Sequence, residues 1–270
     1  MVPLLLLAGC SGGMERSVSV SLAEEKAPGT VDASFSQPLK QFEDGEYEKA
    51  IAGFKSGIEK LRAQGVSGDR LVSYRVKLAE AYLAEGKSDE ALAVVDEDLA
   101  RLSQADQSRE RFLLFSPLRL LRVRILYKGK KFKEAQVAAK DLLELQERYL
   151  GSDSRELIET LNLAIASACA EDRCADTRPM ILRQLALKEK YLGKEHEHVA
   201  ASLAQLAELE EQAGNFGEAE KLFKRVLAIR TKSAPELVES TRKNLVRLEL
   251  KRMQRKSRNN PAEKSVLENP

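Results

Sequence analysis

Apolar residues recur at every third or fourth position over most of this chain, and polar residues fill the positions between them. This spacing predicts amphipathic helices, because residues three and four apart lie on the same side of a helix. Two stripes that begin with an alanine show the pattern clearly: Ala50, Phe54 and Gly57, and Ala219, Phe223 and Val226. A small alanine lets a neighbouring helix approach closely, so we predict a fold of packed helix pairs.

The pattern repeats along the chain. A turn residue followed by an alanine, with an aromatic residue between them in three of four cases, occurs in residues 45–50, 86–91, 130–135 and 214–219. The alanines stand at positions 50, 91, 135 and 219, with steps of 41, 44 and 84, and 84 is twice 42. A degenerate fifth unit is therefore predicted between the last two. Two segments support it by recurring 42 residues later, 149–151 as 191–193 and 185–188 as 227–230.

These units resemble the tetratricopeptide repeat. The 42-residue period, together with residues 192–200, resembles the kinesin-light-chain subtype that is common in bacterial proteins. The resemblance covers about residues 37–232. It implies an all-α solenoid of about five helix-turn-helix repeats, whose concave face binds a partner protein or peptide.

A capping helix is predicted to follow over residues 233–256, starting near Pro235. Its apolar face is expected to close the last repeat and contains Leu237, Val238, Leu245, Val246, Leu248 and Met253. Its opposite face is expected to meet water and contains Lys243, Arg247, Lys251 and Arg258. Between positions 242 and 258, eight basic residues stand against Glu249. This cluster indicates either attraction to anionic lipid or a polyanion, or simply a solvated face. Residues 257–270 are expected to be a disordered tail.

The composition supports a helical protein. The chain has no Trp and 5% aromatic residues, which argues against a β-sandwich or barrel. Its 44 Lys and Arg residues against 42 Asp and Glu give a net charge of +2, so nothing suggests a dedicated nucleic-acid binder. After the linker, repeats and tail are assigned, no segment remains for a catalytic domain, so we expect no enzyme activity and no cofactor.

The chain begins with a short apolar run that ends in Leu7-Ala8-Gly9-Cys10. The run is too short to span a bilayer as a helix, and it indicates a targeting segment. The four residues resemble the lipobox of bacterial lipoproteins. This implies a signal peptide over 1–9, a lipid anchor on Cys10 and a flexible linker over 10–36. Ser11 favours the outer membrane if the cell is Gram-negative, facing the periplasm. The alternative is a cytoplasmic adaptor of the same fold with no lipid anchor.

Two other groups of residues could carry chemistry. Cys169 and Cys174 fall on either side of one predicted interhelical turn, which allows a disulfide, two buried thiols or redox chemistry; the disulfide is our expectation for an exported chain. His196 and His198 flank Glu197, but a zinc site needs three or four converging ligands, so no metal site is predicted.

The first helices of the repeats are expected to line the concave face. By register they present residues of mixed charge for partner binding: Arg124, Tyr127, Lys128, Asn162, Gln205, Glu208 and Gln212. The sequence therefore predicts a membrane-anchored scaffold for protein–protein interaction, and it does not identify the partner.

Overall fold

The computed structural model describes residues 33–66, 68–101 and 108–259. Within these ranges the α-helices are α1 (Ala33–Glu43), α2 (Tyr47–Ala63), α3 (Gly68–Ala84), α4 (Ser88–Ala100), α5 (Arg109–Lys128), α6 (Phe132–Leu150), α7 (Leu157–Ala170), α8 (Arg178–Leu192), α9 (Glu197–Gln212), α10 (Phe216–Ser233) and α11 (Val238–Asn259). Short 3₁₀ turns precede α8 and α11. The expected signal peptide (1–9), Cys10 and most of the expected linker lie outside the described residues, as do residues 260–270 of the expected tail.

The helices pack in the order in which they occur in the chain. Each helix from α1 to α10 contacts the helix that follows it, and the first helices of neighbouring pairs also touch, α1 with α3, α3 with α5 and α5 with α7. Over the described ranges this makes five consecutive helix pairs, α1–α2 to α9–α10, followed by α11. Such a linear stack is an α-solenoid, in which each unit is stabilised mainly by its neighbours.

The repeated alanines lie where the helix pairs pack most closely. Ala50, Ala91, Ala135 and Ala219 each begin the buried stripe of a second helix and are completely buried. In the fourth pair, Thr177 stands 42 residues before Ala219 and is also completely buried, with its hydroxyl donating to the Cys174 carbonyl at 2.7 Å. The degenerate unit therefore keeps a small side chain at this position and satisfies its one polar group locally.

Two glycines end the long second helices of the third and fourth pairs. Gly151 and Gly193 have φ angles of 91° and 88°, a left-handed conformation that other residues rarely adopt. Each follows directly after its helix, where its N–H donates to a carbonyl four residues earlier. This explains the recurrence of the 149–151 sequence as 191–193: the glycine stops the helix at the same place in both units.

The solenoid begins earlier than predicted. Residues 33–36 were expected in the linker, but they form the first turn of α1, and Phe35 is completely buried. Its ring stacks on Tyr74 with centroids 3.6 Å apart, and it lies so close to Gly57 that a Cβ there would approach it to 2.8 Å. The serine-rich composition of this segment suggested a linker. Burial of Phe35 and its stacking on Tyr74 stabilise the helix there despite that composition.

The C-terminal boundaries also differ from the prediction. The cap comprises the 3₁₀ turn Pro235–Leu237 and α11, while Ser233 still belongs to α10. The helix continues to Asn259, so residues 257–259 are not tail. Lys and Arg are good helix formers, and they dominate this last part of α11.

A disulfide joins Cys169, near the end of α7, to Cys174, at the start of the 3₁₀ turn that leads into α8. The two Cα atoms are 4.2 Å apart. Between them Asp172 adopts a φ of 58°, at a position where the first, second and fifth units carry glycine and the third carries Lys130. The bridge therefore holds the turn of the one helix pair that lacks both the glycine and the alanine of the repeat.

Exposed ion pairs connect a second helix to the preceding second helix or to the loop that follows it, and two of them recur one repeat later. Arg183 pairs with Glu147 at 2.5 Å, and 42 residues on, Arg225 pairs with Glu189 at the same distance. Lys190 likewise pairs with Asp153, and Lys232 with Glu195. We refer to these four pairs as the ion-pair ladder. Each pair is exposed enough to contribute only about 0–1 kcal/mol.

Candidate interaction surface

The residues predicted to line the concave face lie on three successive first helices. Arg124, Tyr127 and Lys128 belong to α5, Asn162 to α7, and Gln205, Glu208 and Gln212 to α9. They are therefore spread along the solenoid and do not converge on one pocket. A surface of this kind can contact an extended or helical segment at several points.

On α5, the candidate residues differ in how firmly they are held. Arg124 forms an ion pair with Glu159 of α7, and both side chains are about one-third exposed or less. Tyr127 packs against Phe132 across the turn to α6, with ring centroids 5.7 Å apart. Lys128, in the last turn of α5, is exposed. The helix thus presents an oriented cation, an aromatic ring and an exposed cation close together.

Asn162 takes part in a buried polar network that sequence analysis did not foresee. Its side-chain oxygen accepts from Gln184 at 2.6 Å and from Lys188 at 3.4 Å, both on α8. The Lys188 ammonium also donates to Ser202 of α9 at 2.8 Å. Because these hydrogen bonds connect α7, α8 and α9, Asn162 stabilises the junction between the fourth and fifth units as well as lining its surface.

The α9 candidates lie beside a buried acid. Gln205 and Gln212 are exposed, whereas burial raises the pKa of Glu208, with Arg247 acting in the opposite direction. Glu211 is almost completely buried and receives Arg247 at 2.9 Å and Lys251 at 2.7 Å. Burial of Glu211 disfavours its charge, but the hydrogen bonds from these two cations prevail and lower its pKa below the usual range. Glu211 therefore joins α9 to α11 through two ion pairs.

The expected orientation of the cap was wrong in part. Leu248 is buried against Ala207 and Phe223, with Leu245 packed beside it, as predicted. Val246 and Met253 were expected on the same buried face but are 57% and 64% exposed. Arg247 and Lys251 were expected to face water, whereas they reach Glu211 on the neighbouring helix. The apolar face predicted from the sequence of α11 was too broad. The rotation of the helix depends on the ion pairs of Arg247 and Lys251 with Glu211 of α9, and the sequence of one helix does not contain this information.

The histidine pair has a structural role. The side chain of His196 caps α9 by accepting the His198 N–H at 3.1 Å. Burial lowers the pKa of His198, and His196 and Lys188 add to the effect. In the described part of the chain no group of His, Cys, Asp and Glu side chains is arranged to hold a metal ion. Nor does any helix in that part have the length and apolarity needed to cross a membrane.

Comparisons with known proteins agree with this architecture. Residues 156–232 match the model of the tetratricopeptide repeat family. No curated protein sequence matches the chain. Among the solved structures similar to it is a crystal structure of nearly identical repeats from a putative kinesin light chain of Podospora anserina. It is 19% identical, with 74% of this chain and 94% of that chain covered and a TM-score of 0.60. BtubC from P. vanneervenii is 18% identical, with 75% and 82% covered and a TM-score of 0.60.

Over the described residues, the fold is therefore a tetratricopeptide α-solenoid of five helix pairs with a C-terminal capping helix. More particularly, its structural neighbours have repeats of the kinesin-light-chain type. At these identities the likeness concerns the fold alone.

Proposed function

We propose that this protein is a non-catalytic adaptor that binds a partner protein or peptide along its first helices while a lipid on Cys10 holds it at the bacterial cell envelope. The observation that carries the proposal is the row of polar and charged side chains on α5, α7 and α9, displayed by a solenoid whose units stack without interruption in the described ranges. Tetratricopeptide solenoids use such extended surfaces to bind proteins and peptides.

The proposed anchor rests on the sequence. The lipobox-like residues 7–10 carry the proposal, and they precede a solenoid that starts at Ala33. The Cys169–Cys174 disulfide is compatible with an exported protein, because disulfides persist in oxidising compartments. The outer membrane, facing the periplasm, is the site we favour in a Gram-negative cell.

The binding surface on the first helices α5, α7 and α9 is tested with a charge reversal and a truncation. Once crosslinking in the native cell has captured a partner, Lys128→Glu and Tyr127→Ala are each expected to weaken its binding by about tenfold, because α5 presents the exposed cation beside the aromatic ring. Circular dichroism checks that Tyr127→Ala, which also removes the ring contact with Phe132, keeps its helicity. Lys140→Glu is the matched control, since it makes the same reversal at an exposed site on the second helix α6. If calorimetry showed that Lys128→Glu and Lys140→Glu weaken partner binding equally, the surface on the first helices would not be the binding site.

The anchor is tested separately. We expect wild-type protein to sediment with membranes after a high-salt wash and Cys10→Ser to remain in the supernatant, because more than one acyl chain gives stable attachment. Ser11→Ala is the control, which should sediment like the wild type. If Cys10→Ser and wild type fractionate identically, the unanchored adaptor becomes the better description.

A further inference from the structure

The capping helix carries an exposed apolar stripe. Val246, Leu250 and Met253 are 57%, 55% and 64% exposed, and their spacing of four and three residues aligns them along one side of α11. Leu248, which packs into the core, lies on the opposite side of the helix. Single exposed apolar residues are ordinary, but a contiguous row on a soluble surface indicates a binding site. We call these three residues the α11 stripe.

The repeat register relates the α11 stripe to the rest of the binding surface. Val246, Leu250 and Met253 stand 42 residues after Ala204, Glu208 and Glu211 of α9. The stripe therefore continues the side of the first helices on which Glu208 lies. Arg242 and Glu249 stand 42 residues after Ala200 and Ala207, which are completely buried in their unit, so the side of α11 that a further second helix would cover is charged. Glu211, the counterpart of Met253, is buried against Arg247 and Lys251 of α11, so the α11 stripe lies on the side where a further helix would pack.

Positive charge borders the stripe. A shallow groove follows this side of α11 from Glu239 to Gln254, with Arg242, Lys243 and Lys251 along its edges. The whole helix contains eight Lys and Arg residues against Glu239 and Glu249, a balance of 8 − 2 = +6. Arg247 and Lys251 are partly neutralised by Glu211, but Lys251 remains 50% exposed. A ligand on the stripe therefore meets an apolar centre with mainly cationic borders, in which Glu239 lies 3.9 Å from Arg242.

We propose that the α11 stripe docks an amphipathic helix of a partner protein whose apolar face is bordered by Asp and Glu. The inference rests on the proposed adaptor function and assigns a ligand class to the C-terminal end of the same surface. Charge complementarity selects this occupant, because acidic borders would meet Arg242 and Lys243. A second copy of the chain would instead place two cationic helices face to face.

A lipid surface fits the stripe less well. Helices that lie in a membrane interface usually have a wide apolar face with aromatic residues, whereas α11 has no aromatic residue and exposes a row of only three apolar side chains. Two of the nearby cations, Arg247 and Lys251, are committed to Glu211. Arg252 is likewise paired with Glu220 at 3.2 Å. These contacts reduce the field that would attract an anionic bilayer.

A pair of synthetic peptides tests the proposal. Each is a helix of about 18 residues with a leucine stripe, long enough to be helical on binding, and the stripe is bordered by Glu in one peptide and by Lys in the other. We expect the full-length chain to bind the Glu peptide by fluorescence anisotropy, and the Lys peptide at least about tenfold more weakly. The triple variant Val246→Ser, Leu250→Ser, Met253→Ser should lose the Glu peptide by a similar factor. Val137→Ser is the control, because this valine is 63% exposed on α6.

The alternatives give different results. Equal binding of both peptides, or unchanged binding of the Glu peptide in the triple variant, would overturn the proposal. Stripe-dependent binding to phosphatidylglycerol vesicles without peptide binding would assign the stripe to a membrane, and a stripe-dependent dimer in sedimentation velocity would assign it to a second copy; either overturns it. The double variant Arg242→Glu, Lys243→Glu, which leaves the core untouched, should weaken the Glu peptide and strengthen the Lys peptide.

Failure here is distinguishable from failure of the adaptor function. If Lys128→Glu weakens binding of the crosslinked partner but the triple variant does not, the partner binds the first helices and the proposal for the α11 stripe is wrong. If neither Lys128→Glu nor the triple variant changes partner binding, the proposed function itself is wrong.

Discussion

Replacing Arg75 with alanine is expected to lower the free energy of unfolding by about 3–5 kcal/mol, because the buried Asp98 carboxylate loses its hydrogen-bonded counter-charge and keeps only the more distant, half-exposed Arg101. Arg75 and Asp98 are each 3% exposed, and the guanidinium donates to Asp98 at 2.5 Å. The same side chain reaches Glu97 at 2.6 Å and the Val94 carbonyl at 3.1 Å. A single arginine of α3 thus satisfies three acceptors on α4, and urea denaturation would measure its loss.

The chain offers a matched control for this substitution. Arg101 also approaches Asp98 and Glu97, but it is about half exposed and lies in the turn after α4. Arg101→Ala should therefore cost no more than about 1 kcal/mol. Arg75→Met combined with Asp98→Leu should recover most of the stability lost in Arg75→Ala, since apolar pairs often replace buried ion pairs without penalty. Similar losses for Arg75→Ala and Arg101→Ala would contradict the buried character of the first pair.

Phe223→Ala is expected to destabilise the C-terminal end of the solenoid by about 3–5 kcal/mol. The ring is completely buried between Ala207, Ala219 and Leu248, so it contacts α9, its own helix and α11 at once. Its removal would leave a cavity at the junction of the last repeat and the cap. Differential scanning calorimetry should show a lower transition temperature, and α11 should exchange its amide hydrogens faster than in the wild type.

Leu113→Ala is the control for Phe223→Ala. Leu113 lies on α5 and is 49% exposed, so its truncation should change the stability by no more than about 0.5 kcal/mol. If Phe223→Ala behaved like Leu113→Ala, the alanine-to-phenylalanine spacing of the repeat would not mark the buried stripe.

The repeat spacing was sufficient to predict most of the fold. The alanines at 50, 91, 135 and 219 located the second helices because close helix packing requires a small residue at a fixed place in every unit. The fourth unit was found by the recurrence of its flanking segments, although its own alanine is replaced by Thr177. Repetition carries information that no single helix contains, and this is why the degenerate unit could be placed.

Contacts between units were harder to predict than the units. The linker assignment of residues 33–36 failed because composition does not reveal that Phe35 stacks on Tyr74, which is far away in sequence. The role of Glu211 was missed for the same reason: its partners Arg247 and Lys251 lie 36 and 40 residues later on another helix. The α11 stripe could be recognised only from the structure, which shows that Leu248 lies on the buried side of the helix. Such pairings depend on the rotation of one helix against the next, which the repeat period leaves undetermined.

The ion-pair ladder responds to salt differently from the rest of the solenoid. The joints between units are themselves apolar and buried, as where Phe35 of α1 stacks on Tyr74 of α3. The ion pairs of the ladder lie outside these contacts and add exposed charges along one side of the stack. Because salt screens exposed charges over about 8 Å at physiological ionic strength, a rise in salt concentration weakens the ladder while the buried joints stay intact.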